Sequence, residues 1–164
     1  MVCIDKRRPR LLGIIPIIDA YIDHQKDVIL KRTNFDLAFA RKEMHITEGL
    51  VKAISILDEV IAVIRASKNK PDAIENLVKK FDFTTEQATA IVMLQLYRLT
   101  NTDITVLNEK LENLRKIIEE LTGILNDESK LKGVIKDELR RMKKEYGVPR
   151  KTEISETIKE IKID

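Results

Sequence analysis

Apolar residues recur at helical spacing along almost the whole chain, but the stripe they draw changes width. From Ile17 to about Met44 it is thin: Ile18, Tyr21, Val28, Phe35 and Phe39 stand three, four or seven apart, with Gln25 and Arg32 interrupting. A stripe that narrow covers one partner helix and nothing wider, so it predicts one half of a coiled coil. From Ile46 the stripe thickens. Ile46, Leu50, Ala53, Leu57, Val60 and Ile64 keep a 4-3 rhythm while Ile54, Ile56, Ile61 and Val63 broaden the face, which predicts entry into a globular core.

Asn69, Lys70 and Pro71 end that pattern, and Asp72 and Glu75 favour the start of a short helix with Ala73, Leu77, Val78 and Phe81 on its buried face. Thr84 and Gln87 have the spacing of a capping box. The helix they open carries Ile91, Val92, Met93, Leu94, Leu96, Tyr97 and Leu99, which run almost all the way round the cylinder. A helix apolar on every side needs neighbours on every side. Asn101, Thr102 and Asp103 offer the next N-cap. Beyond them Ile104, Leu107, Leu111, Leu114, Ile118, Leu121 and Leu125 form an unbroken 3-4 repeat with Glu and Lys between. Gly123, Asn126 and Asp127 loosen its end, and a further helix uses Leu131, Val134, Ile135, Leu139, Met142 and Tyr146 before Gly147 and Pro149 stop it.

The order of these elements predicts an all-α fold: a long antiparallel coiled-coil arm carrying a small helical knot at its tip. Residues 1–16 form a lead-in, 17–45 the outbound helix, 46–101 the knot, 102–146 the returning helices and 147–164 a tail. About twenty-eight outbound residues at 1.5 Å each give an arm of about 40 Å. In the lead-in, Val2 to Ile4 reads as a short strand, Asp5 to Pro9 as a charged turn, and Pro16 suits a first helical turn. A lone strand is not stable, so its pairing partner is expected outside this chain.

Composition sharpens the picture. The 164 residues are 35% charged and only 4% aromatic, a mixture that suits long solvated helices better than a sheet sandwich. Net charge is +3, small for a protein that grips duplex DNA over a broad face. The single Cys3 excludes a disulfide framework and fits a reducing cytoplasm. No apolar run approaches the length of a membrane span.

Chemistry-bearing residues are sparse. Tyr21 and Tyr146 fall on predicted seams and Tyr97 ends the most apolar helix; a nucleophilic role would need an activating neighbour and a metal or cationic site, so each reads as core or interface packing. His24 and His45 lie twenty-one residues apart with no Cys or second His at ligand spacing, so they read as surface or seam residues. Asp58-Glu59 and Glu119-Glu120 are adjacent on helices and point in different directions. There is no Gly-rich phosphate loop, and no cofactor site is expected in this chain. Arg140, Arg141, Lys143 and Lys144 gain from a helix C-terminus, which explains them without a ligand; they are also the DNA-proximal candidates.

Several stretches together resemble one family. They are Ala20-Tyr21-Ile22-Asp23-His24-Gln25 with Arg32-Thr33, Glu48-Gly49-Leu50, and Leu57-Asp58-Glu59-Val60-Ile61 with Ile64-Arg65-Ala66-Ser67. The longest runs from Phe83 through Glu86-Gln87-Ala88 to Leu96-Tyr97-Arg98-Leu99-Thr100, followed by Val134 to Leu139 and Arg150 to Ile154. In this order they are similar to the coiled-coil and C-gate region of bacterial type IIA topoisomerase A subunits, the family of topoisomerase IV and DNA gyrase. Asn101 after Leu99-Thr100, where gyrase-like chains commonly place Gly, leans toward the topoisomerase IV branch. Thr47 in place of a customary Leu, and a lead-in turn without Gly, depart from the family pattern.

The resemblance implies a parent that passes one duplex through a transient break in another. It also implies that the transesterifying tyrosine lies in an earlier domain, and that ATP and Mg are bound by the B subunit. This chain is then a non-catalytic, cytoplasmic, nucleoid-associated homodimerising gate. Its implied partners are the B subunit plus the rest of the A subunit, while DNA passes with weak contact. The implied dimer surface is Ile91, Val92, Leu94, Gln95, Leu96, Tyr97 and Leu99. Two other classes compete: a free-standing coiled-coil scaffold, which periodicity alone allows, and an independent DNA-binding module, which the small net charge disfavours.

Overall fold

The structure, a computed structural model, describes residues 1–5, 8–93 and 101–154, with the side chains of 101–103 excepted. Among the described residues, two short strands, β1 (Val2–Asp5) and β2 (Arg8–Leu11), precede six helices: α1 (Ile14–Ser55), α2 (Leu57–Ala66), α3 (Lys70–Phe81), α4 (Thr85–Met93), α5 (Asn101–Asn126) and α6 (Glu128–Tyr146). The fold is mostly helical, as the periodicity predicts.

β1 finds its partner inside the chain. It pairs antiparallel with β2 in the register Val2↔Leu11, Cys3↔Arg10, Ile4↔Pro9 and Asp5↔Arg8, so the expectation of an outside partner is corrected. Pro9 hides the second strand, because proline reads as a turn; with only one neighbour, β2 tolerates a residue that cannot donate. Arg10 closes the pair by bonding Asp5 at 2.9 Å.

α1 begins just after Gly13, which supplies no side-chain cap, and holds Pro16 in its first turn. Forty-two residues at 1.5 Å make it about 63 Å long. It runs on past the change in stripe width near Met44, as one helix, and stops at Ile56, which leaves the helical region at φ −123° and ψ 36°. Neither Gly nor Pro marks that break, and the apolar pattern runs straight across it. The next break is the legible one: Asn69 caps α3 by accepting from the Asp72 amide at 3.0 Å. Asp82 ends α3 in the left-handed conformation.

α5 packs antiparallel along α1. Lys110 reaches Glu43 at 2.8 Å near one end, while Glu128, just past α5, reaches Lys26 at 3.5 Å near the other. On α5 the predicted seam residues Leu107, Leu114, Ile118, Leu121 and Leu125 are half-buried and Leu111 is buried, on the covered side.

On α1 the covered face is not the predicted one. Ile18, Tyr21, Val28, Phe35 and Phe39 are 41–73% exposed, and the buried residues are Ile29, Thr33, Leu37, Ala40 and Thr47. Most of the true face lies one residue further on, a rotation of about 100°. Large apolar residues alone do not reveal it, because Thr33, Ala40 and Thr47 are small and let the helices approach closely. Thr47 settles its hydroxyl by donating to the Glu43 carbonyl at 2.8 Å. Fully burying Ile29 and Leu37 stabilises the pair by about 1.5–3 kcal/mol each.

α6 corrects a second expectation. It lies against both α5 and α1 and does not continue the course of α5. Asp127 caps it by accepting from the Ser129 amide at 2.8 Å, and the chain turns. Glu128 then pairs with Lys26 and Glu138 with Arg32 at 2.7 Å, so α6 advances in the same sense as α1. Leu131 and Ile135 pack with Ile29 in a small core. Leu139, Met142 and Tyr146 continue that stripe but are 44–68% exposed. Periodicity gives a helix its face and leaves its direction open, so the reversal has no mark in the sequence pattern.

Candidate dimerisation surface at the tip

The end of α1 and helices α2, α3 and α4 form the tip knot. Its core is Ala53, Val60, Leu77, Phe83, Ala88 and Ile91, with Leu50, Ile56, Val63, Ile64, Ile74, Val78, Phe81 and Val92 packed round it. The Phe81 and Phe83 rings sit 6.1 Å apart at 59°. Lys52 bridges from α1, donating to the Phe81 carbonyl at 2.6 Å and lying 4.7 Å from the centre of the Phe83 ring. An orphan carbonyl at the end of α3 is thereby satisfied.

The entry into α4 is built with more detail than the capping-box spacing alone suggests. The Thr84 amide donates to Gln87 Oε1 at 3.1 Å, and the Gln87 amide donates to Thr84 Oγ1 at 3.3 Å, which completes the box. Gln87 Nε2 then donates to the His45 carbonyl on α1 at 2.8 Å and lies 3.5 Å from His45 Nδ1. His45 Nε2 sits 2.8 Å from Thr84 Oγ1. Gly49 makes room one turn on: a Cβ there would stand 2.5 Å from Gln87 Cγ and 2.8 Å from Gln87 Cβ. Sequence alone puts His45 on a surface or seam and gives Gly49 no task. The available signal is Gly49 itself, since glycine inside a long helix is destabilising unless another chain segment comes close.

Of the surface implied for dimerisation, Ile91 is buried in the knot and Val92 is half-buried against it. Met93 is 62% exposed at the end of α4. Leu94, Gln95, Leu96, Tyr97 and Leu99 lie outside the described residues. Arg140, Arg141, Lys143 and Lys144 are all exposed toward the end of α6, where Arg140 pairs with Asp137 at 3.0 Å.

The described residues assemble no reacting centre. Tyr21 is half-exposed on α1. The Tyr146 phenol is held above its ordinary range by its bond to Glu145, the wrong direction for a nucleophile. Among the described residues no three His, Cys, Asp or Glu side chains come together so as to hold a metal ion.

Comparison with known proteins gives the family. The profile for the A subunit of DNA gyrase/topoisomerase IV matches residues 1–140. The whole chain is 56% identical to part of the DNA topoisomerase 4 A subunit of Staphylococcus epidermidis. It is 54% identical to the corresponding proteins from Streptococcus pneumoniae and Bacillus subtilis. All of this chain aligns in each case, and it spans 20% of each relative's length. These relatives carry the topoisomerase IV name, the branch toward which Asn101 leans. With 140 of its 164 residues under one profile, the chain belongs to the family of DNA gyrase and topoisomerase IV A subunits.

Proposed function

We propose that this chain is the arm and exit gate of a type IIA topoisomerase A subunit: the non-catalytic part through which the transported duplex leaves during ATP-dependent relaxation and decatenation. The observation that carries this reading is the separation of two cores on one long helix. The small core of Ile29, Leu131 and Ile135 lies a little over a third of the way along α1, and the knot core lies at its far end. At 1.5 Å per residue, Ile29 and Ala53 are about 36 Å apart along that helix. A knot held that far out is placed to meet a second copy, and two such contacts close a ring when the bases are also joined. The apolar run from Met93 to Leu99 is the surface for that contact. The exposed cations Arg140, Arg141, Lys143 and Lys144 give at most a weak electrostatic guide for DNA.

Membership of the family takes away the reason for a free-standing scaffold. Sedimentation equilibrium tests the reading. The chain should be dimeric, and Leu96→Asp should weaken association about thirtyfold or more by stranding a charge in the contact, with helicity preserved. A dimer unaffected by Leu96→Asp and Tyr97→Asp would remove the gate from this surface.

A further inference from the structure

The contact between His45 and the start of α4 reads the protonation state of one imidazole. Gln87 fixes the logic. Its Oε1 accepts from the Thr84 amide and its Nε2 donates to the His45 carbonyl, so its amide has one orientation that satisfies both. Nε2 of an amide can only donate, and it is the group facing His45 Nδ1 at 3.5 Å. The tautomer that suits this setting leaves Nδ1 bare and carries the proton on Nε2, toward Thr84 Oγ1 at 2.8 Å. A second proton would place an N–H at Nδ1 against the Gln87 NH2. Turning the amide over to accept it would break both of the bonds that fix it.

The helix itself adds to this. His45 lies against Thr84 at the N-terminus of α4, where the helix dipole is positive and a cation is unfavourable. The charges around the site offer limited compensation. Arg41 and Lys42 precede His45 on α1, and Glu48 follows it; Lys42 is 3.7 Å from Glu86 in the first turn of α4, so those two offset each other. Glu43, on the side toward α5, is held by Lys110 at 2.8 Å. Gly49 lets α1 approach Gln87 more closely than a residue with a Cβ would allow.

We infer that His45 is a proton-sensitive latch: neutral, it holds the start of α4 against α1, and protonated, it releases that end of the helix. α4 runs directly into Met93 and the apolar segment beyond it, so release would loosen the surface on which the knots meet. This last step rests on the gate reading; the latch itself does not.

Amide hydrogen exchange on the whole chain separates the two. Protection factors at Gln87 to Ile91 should be about tenfold lower at pH 5.5 than at pH 8. His45→Gln, which keeps a donor and cannot titrate, should flatten that dependence. His24, the other imidazole, lines the groove between β1–β2 and the start of α1, so a local readout in α4 is insensitive to it. Equal pH dependence in the wild type and in His45→Gln would overturn the latch, as would protection that stays constant in the wild type. A dimer that persists in Leu96→Asp at pH 8 would instead sink the gate reading and leave the exchange result to judge the latch.

Discussion

Adding one methyl group at two glycines should move stability in opposite directions. Gly49 and Gly133 both lie inside helices, where exchange for alanine ordinarily stabilises by about 1 kcal/mol. At Gly133 a Cβ would meet nothing within 4 Å, so Gly133→Ala should keep that gain. At Gly49 the new Cβ would stand 2.5 Å from Gln87 Cγ and 2.8 Å from both Cβ and Cδ. Because Gln87 Cβ is fixed to the α4 backbone, the helix must move, not only the end of a side chain. Overpacking of this kind costs about 1–3 kcal/mol. Displacing Gln87 also strains its bonds to Thr84 and His45, each contributing about 1 kcal/mol. The clash outweighs the helix propensity, and Gly49→Ala should be about 1–2 kcal/mol less stable than the wild type. For a chain of this size that is a fall in Tm of about 3–6 °C, against a rise of about 2–4 °C for Gly133→Ala. Thermal unfolding followed by circular dichroism at a fixed protein concentration reads both. A Gly49→Ala protein as stable as Gly133→Ala would mean that α1 and α4 do not approach as described.

The rotated face of α1 makes a second contrast: Ile29→Asp buries a charge beside Leu131 and Ile135 and should cost about 3 kcal/mol or more, while Val28→Asp on the exposed side should stay within about 0.5 kcal/mol. Urea unfolding would show it, and equal losses would restore the seam expected from sequence. Acid should weaken the start of α6. Glu128 is held below the usual carboxylate range by Lys132 first and then Lys26, so its contribution is present above that range and lost as pH falls through the lowered value. Protection factors in the first turns of α6 should accordingly fall at low pH, and Glu128→Gln should reduce the dependence. The chain alone should neither cleave nor relax supercoiled DNA; a protein-linked break abolished by mutating Tyr21, Tyr97 or Tyr146 would overturn the non-catalytic reading.

What is legible in the sequence follows from what periodicity can carry. The α5 repeat is plain because large apolar residues alone draw it. The α3 cap at Asn69 and the box at Thr84 and Gln87 are plain because their chemistry is local. The face of α1 is misplaced because Thr33, Ala40 and Thr47 do the packing there, and small or polar residues leave no mark in an apolar pattern. The direction of α6 and the pairing of β1 with β2 are relations between segments, which no pattern within one segment contains. His45 stays hidden for the same reason: its partners Thr84 and Gln87 are thirty-nine and forty-two residues away.

The central claim is that two copies meet at their knots with the arm bases apart. It is tested most directly by electron-spin distance measurements on labelled cysteines, with Cys3 replaced by serine. One label goes at Met93, exposed at the end of α4, and one at Ile15, exposed at the start of α1, nearly the full length of the arm away. A short distance between the two Met93 labels is expected, with a distinctly longer one between the two Ile15 labels. A dimer in which the Ile15 labels are the closer pair would contradict the claim.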